Sequence, residues 1–198
     1  GDHRNTGDAG IYDLLLYRRD RAYMVDEIFA LAAAAGLGIT GFIEPARYDP
    51  LNYLRDAALR KTVAALTWPE QCAAAELIAG NMKVHICYLV AADAARQVPL
   101  RPDMPEAVPV LNNVSPEALA GRLRGAPALA LDFDGAKIRL ALPKQAAEMA
   151  ALIDGERDLA EIRRRLGKSG RKMAPGAFTR QFETLYKALN GINAMLLR

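Results

Sequence analysis

The chain has 198 residues, of which 52% are apolar and 25% charged, the proportions of an ordinary globular protein with one large core or two small ones. A net charge of +3 is too small to mark a polyanion-binding surface by itself, and two scattered cysteines, Cys72 and Cys87, make neither a disulfide framework nor a zinc site. No apolar run reaches the roughly 20 residues of a membrane span and no basic-then-apolar secretion signal is visible, so a reducing cytoplasm is the expected setting.

Residues 1 to 23 are polar, then aromatic, with Asp8 placed to cap a short helix carrying Ile11, Tyr12, Leu14, Leu15 and Leu16. The next segment predicts a helix from Val25 to Ala35. Val25, Ile28, Phe29 and Leu31 share one face, and Asp26 and Glu27 lie in the first turn, where carboxylates favour the positive end of the dipole. Gly36 follows, able to take the left-handed conformation that ends helices. Leu37 to Ile43 reads as a buried strand stopped by Pro45. Asp49 and Pro50 mark the N-cap and first residue of a helix running to about Leu66. Thr67-Trp68-Pro69-Glu70 repeats that signal for a helix closed by Gly80-Asn81. Lys83 to Ala91, rich in β-branched and aromatic residues, reads as a second buried strand. A helix feeding a strand through one glycine is half of a βαβ unit.

Residues 93–114 break this pattern. Five of the 11 prolines (Pro99, Pro102, Pro105, Pro109 and Pro116) cluster in or beside the interval, which predicts a semi-rigid linker. Ser115-Pro116-Glu117 then opens a capped helix ending near Gly125. Asp134-Gly135 lies between two alternating apolar runs, a hairpin signal. Pro143 opens a helix through Met149 and Ile153, and Asp158 caps the helix LAEIRRRL. A longer helix spans Ala177 to Asn190 with Phe178, Phe182, Leu185, Tyr186 and Leu189 as its stripe. INAMLLR closes the chain as a short strand. The expected organisation is α+β, with residues 1–92 as a first domain, 93–114 as linker and 115–198 as a winged-helix-like domain.

Catalytic chemistry has little support in the residue types. There are two histidines. His3 has nothing spaced to partner it, and His85 alternates with Val84 and Ile86 in a strand, which predicts a half-buried ring satisfied by a neighbour. No HxH, HExxH, CxxC or GxSxG spacing occurs. Cys72 and Cys87 read as small buried residues on a helix and a strand.

The run GDAGIYDLLLYRRDRAYMVDEIFALAAAAGLGITGFIEPARYDPLNYL resembles the C-terminal part of bacterial class I S-adenosylmethionine-dependent methyltransferases. In that fold the last helix leads into the sixth strand, and an antiparallel seventh slots in beside it. LGITGFI is similar to the sixth strand, KVHICYLVA to the seventh, and residues 50–80 to a helical insertion. LIDGERDLAEI and RQFETLYKALNGINAMLLR resemble the winged-helix domain that follows the catalytic domain in some methyltransferases acting on proteins. The sequence departs from the family in lacking a strand with a glycine-rich turn for the cofactor and an acidic residue for its ribose.

The resemblance therefore implies a substrate-recognition and regulatory region of an S-adenosylmethionine-binding parent enzyme. The parent's N-terminal catalytic half is its implied partner, and the chain itself is expected to hold no cofactor, catalytic residue or metal. It also places Tyr12, Asp13, Tyr17, Arg21 and Tyr23 where such enzymes position their acceptor, here a protein or peptide. The aromatics would stack on it and Asp13 would orient an amine. The plainer alternative is that Tyr12 and Tyr23 pack a helix while Asp13 and Arg21 face solvent.

Between Glu156 and Arg180, eight basic residues stand against three acidic ones. Arg163, Arg164, Arg165, Lys168, Arg171 and Lys172 form the densest group. In a stand-alone winged-helix module such residues would neutralise phosphates, the alternative to the methyltransferase reading, although charge runs are usually solvated helix faces. Strands without sheet neighbours also seek partners, which predicts a homodimer.

Overall fold

The computed structural model describes residues 21–94, 100–168 and 173–198. Local chemistry sets the first elements. Helix α1 (Val25–Ala34) begins where the Glu27 carboxylate accepts from Met24 N at 3.0 Å, and Gly36 ends it at φ +70°. Strand β1 (Leu37–Phe42) follows. Strand β2 (Cys87–Ala91) runs antiparallel to it, pairing Leu37 with Ala91 and Phe42 with Cys87. Thr40 is the extra residue of a bulge between Ile39 and Gly41. Ile43 N donates to Ile86 O at 2.8 Å, just beyond the ladder, so regular pairing is shorter than the 83–91 span expected for this strand.

Between the two strands the sequence reading needs correction. A single helix was expected from Pro50 to about Leu66. Instead two 3₁₀ turns (Pro45–Tyr48 and Pro50–Asn52) precede a separate helix α2 (Ala57–Ala64). Asp49 caps only the Leu51 N–H, at 3.0 Å, and Asp56 starts the new helix by accepting from Leu59 N at 2.8 Å. A second strong cap inside the expected helix restarts the chain. No residue of α2 is fully buried, and Val63 is half-buried. Helix α3 (Trp68–Ala79) follows its start signal, with Glu70 accepting from Thr67 N at 2.8 Å.

Strand β3 (Pro109–Leu111) falls inside the interval read as a linker, and it pairs antiparallel with the last strand, β6 (Met195–Leu197). Val108 and Arg198 exchange both backbone bonds, at 2.9 and 3.0 Å. Pro109, next in the ladder, therefore takes a non-bonded position where its missing N–H costs nothing. Ala107 is fully buried, and its carbonyl accepts from Leu159 N at 3.0 Å. Ala107 and Pro109 are buried, whereas Leu100, Arg101, Asp103, Pro105 and Glu106 are exposed.

Helix α4 (Pro116–Leu123) is capped by Ser115, whose hydroxyl accepts from Ala118 N at 3.2 Å. Strands β4 (Ala128–Phe133) and β5 (Ala136–Ala141) form a hairpin turned by Asp134 and Gly135, at φ +52° and +96°. Two positive φ angles make the primed turn whose twist matches the strands. The helix expected over Pro143–Ile153 is the shorter α5 (Ala146–Ala150). Helix α6 (Leu159–Lys168) starts where Asp158 accepts from Glu161 N at 2.7 Å, and α7 is Pro175–Asn190. The described residues make a mixed α+β architecture with three two-stranded antiparallel sheets.

Two apolar cores form. The larger is built on α4–α7, the hairpin and the last strand, with Phe182, Leu185, Ile162 and Met149 fully buried. The smaller packs Val25, Phe42, Tyr48 and Cys72 from α1, β1, the first 3₁₀ turn and α3. The seam between them is polar. Arg47 pairs with Asp134 at 2.9 Å and lies over the Phe133 ring at 5.1 Å. Asn81 Nδ2 donates to the carbonyls of Phe133 and Asp134 at 2.8 and 2.9 Å. Ala46 N donates to Gly191 O at 3.0 Å.

Candidate functional site

Tyr12, Asp13 and Tyr17 lie outside the described residues. Arg21 and Tyr23 are described, and their contacts are local. The Arg21 guanidinium sits 4.8 Å from the centre of the Tyr23 ring and pairs with Glu27. Glu27 in turn caps the start of α1. Both residues therefore help to hold a helix N-terminus.

Of the basic group, Arg171 and Lys172 also lie outside the described residues. Arg163, Arg164, Arg165 and Lys168 fall on α6. Glu161 pairs with Arg164 and, at 2.6 Å, with Arg165. One carboxylate shared by two guanidiniums at helical spacing is the ordinary chemistry of a solvated helix face.

The smaller core holds a polar chain that the sequence half-anticipates. The His85 Nδ1 lies 3.0 Å from the Tyr48 hydroxyl, and its Nε2 lies 3.0 Å from Glu76 Oε1. The second Glu76 oxygen accepts from Val25 N at 2.7 Å, the first amide of α1. Glu76 is the one buried charged residue among the described residues. Hydroxyl, imidazole and carboxylate in line have the order of a proton relay, but Tyr48 is 6% exposed and its hydroxyl is engaged by His85. Burial pushes its phenol up to about 12, the reverse of an activated nucleophile. The chain ties α1, α3, the first 3₁₀ turn and the segment leading into β2 together. His85, expected within a strand, precedes β2, and its ring is satisfied by Tyr48 and Glu76. Burial likewise pushes the Cys72 thiol up to about 12, which suits an inert core residue.

An open site lies at the seam. Two connected chambers of about 320 and 330 Å³ share Pro45, Trp68, Tyr186 and Asn190 as walls. One continues along Phe42, Tyr88 and Asn193 and has no charged wall. The other reaches Asn52, Gln71 and the Asp49–Lys187 ion pair, closed at 2.9 Å. Trp68 and Tyr88 are 43% and 50% exposed, aromatic rings at the surface beside a concavity, which is how recognition sites are commonly furnished. The sequence reading used Trp68 only as a helix start and Tyr186 only as part of an apolar stripe. The available signal was a tryptophan at the first position of a helix, where burial is geometrically hard.

Among the described residues no three His, Cys, Asp or Glu side chains are grouped to hold a metal ion, and no helix is long and apolar enough to cross a membrane. No protein-family model and no curated protein matches the chain.

Proposed function

We propose that the chain is a substrate-recognition and regulatory region of an S-adenosylmethionine-dependent methyltransferase that acts on a protein or peptide, with no catalytic step of its own. One observation carries the reading: β1 and β2 are antiparallel neighbours reached through α1 and a helical insertion. That is the pairing and order implied by the likeness to the sixth and seventh strands of that fold. Each strand pairs on one side only among the described residues, and Val84, Ile86 and Leu89 are exposed beside that sheet. A parallel sheet carrying the cofactor would continue from the free edge of β2, and the helices on its faces would cover those side chains. The alternative winged-helix module for nucleic acid draws less support, because Glu161 already engages two of the arginines it would use.

The test lies in the gene. The reading requires, about 150 residues or more upstream of Asp2, a strand ending in a glycine-rich turn. A reading frame without one overturns it. The open edges add a solution test: in isolation they pair with a second copy, so light scattering should give a dimer. A clean monomer at about 100 μM would remove that part of the proposal.

A further inference from the structure

We propose that the cleft at the seam binds a neutral polyhydroxylated ligand, a saccharide; this does not rest on the methyltransferase reading. Three carboxamides, Asn52, Gln71 and Asn190, line the polar half of the cleft. Asn52 Nδ2 donates to Ala46 O at 2.8 Å, Gln71 Nε2 to Leu66 O at 2.8 Å, and Asn190 Nδ2 to Met195 O at 3.0 Å. Each bond to a backbone carbonyl fixes which way round the amide sits, leaving its oxygen as the acceptor for a ligand. No protein donor reaches those three oxygens among the described residues. Asp49 also lines this half, but its two oxygens are taken by Leu51 N and Lys187. The polar half of the cleft is thus rich in acceptors, and the group that answers several acceptors at once is a set of hydroxyls.

Charge and shape narrow the class further. Lys187 is already held by Asp49 at 2.9 Å, so a phosphate finds no unpaired cation there. The uncharged half presents Trp68, Tyr88 and Tyr186. Aromatic faces carry partial negative charge and accept the weakly positive C–H face of a sugar ring. The Asn193 carboxamide, which has no protein partner among the described residues, is available for a further hydroxyl. Chambers of about 320 and 330 Å³ suit a compact ligand of one or two rings. An aromatic peptide side chain would leave most of the acceptors unanswered, which disfavours it.

Trp68 is the single tryptophan, so its emission reports the cleft directly. Glucose, galactose, mannose, N-acetylglucosamine and their common disaccharides, titrated to about 100 mM, should give a saturable change with at least one sugar, with millimolar affinity. Asn193→Gly and Tyr186→Ala should each weaken that binding about tenfold, while Arg122→Ala, on α4 and away from the cleft, should leave it unchanged. Asn193 takes a left-handed φ of +56° that glycine adopts without strain, so Asn193→Gly removes the carboxamide and keeps the test open should Tyr186→Ala fold poorly. No saturable change with any sugar overturns the proposal. So does saturation by adenosine or N-acetyltryptophanamide where sugars fail, or binding that both cleft variants leave intact.

Discussion

The two cores solve the same problem with different chemistry. The larger one is apolar throughout its buried members, with Phe182, Leu185 and Leu189 of α7 meeting Ile162 of α6 and Met149 of α5. The smaller one packs six buried residues around an ionic chain in which Glu76 holds both His85 and the first amide of α1. Non-directional burial tolerates many arrangements of similar volume. A buried carboxylate does not: it demands specific partners at specific distances and is costly when any is lost. The larger core is therefore held by quantity of apolar surface, and the smaller by the completeness of one polar chain. Its sheet is open on both sides among the described residues, which makes that chain the more necessary.

The strongest way to break the contrast is to damage each core in kind. Phe182→Ala removes a fully buried ring and should cost about 3–5 kcal/mol, read as a fall in the denaturation midpoint by circular dichroism. Glu76→Ala leaves the Val25 N–H and the His85 ring without their acceptor and should cost about 3 kcal/mol. Its signature is different. Trp68 contacts the rings of Phe29 and Phe42 in the smaller core, at 5.3 and 6.3 Å, so its emission should shift earlier than the helical signal in Glu76→Ala and later in Phe182→Ala. Equal shifts in both probes for both variants would mean that the cores act as one.

Local signals were legible in the sequence; long-range ones were not. Gly36 and Gly80 take the left-handed conformation expected at helix ends, and Asp134-Gly135 turns its hairpin, because the controlling atoms lie within a few residues. Pro50 misled for a related reason. Its start signal is real, but Asp56 supplies a second one, and spacing alone does not rank two caps. Nothing in the sequence singles out Glu76, since its partner Val25 lies 51 positions away. The seam cleft was invisible in the same way. Trp68 opens α3 and Tyr186 lies near the end of α7, and nothing in either segment specifies that they share a wall.

The joint between the cores gives a smaller effect. A Cβ on Gly191 would lie 2.8 Å from Lys187 O and 3.0 Å from Ala46 Cβ. The nearest obstacle is backbone, so either α7 or the first 3₁₀ turn must move, and overpacking of this kind costs about 1–3 kcal/mol. Gly191→Ala should also loosen the Ala46–Gly191 hydrogen bond. The Trp68 and helical transitions should then separate in denaturant, whereas an unchanged midpoint with coincident transitions would place the coupling elsewhere, at Arg47 and Asn81.

The smallest effect separates the cores by pH. The Tyr48 phenol is raised from its ordinary 10.0 to about 12 by burial. The unfolded chain therefore releases this proton first as the solution becomes alkaline. The stability it reflects is complete below pH 10 and is lost as pH rises towards about 12. Cys72, raised from 9.0 to about 12, acts with the same sign from a lower starting point. The larger core buries no tyrosine or cysteine completely; Tyr53 and Tyr186, partly buried against it, are also raised by burial, and the Tyr53 hydroxyl donates to Arg47 O at 2.9 Å. Because Cys72 in the smaller core starts from the lower ordinary value of 9.0, alkaline weakening should appear first in Trp68 emission. Tyr48→Phe should cost about 1 kcal/mol at neutral pH through its lost bond to His85, yet flatten the decline between pH 10 and 12. A Tyr48→Phe protein that declines as steeply as the parent would assign the alkaline sensitivity to the buried thiol, and Cys72→Ala would then be the variant that flattens it.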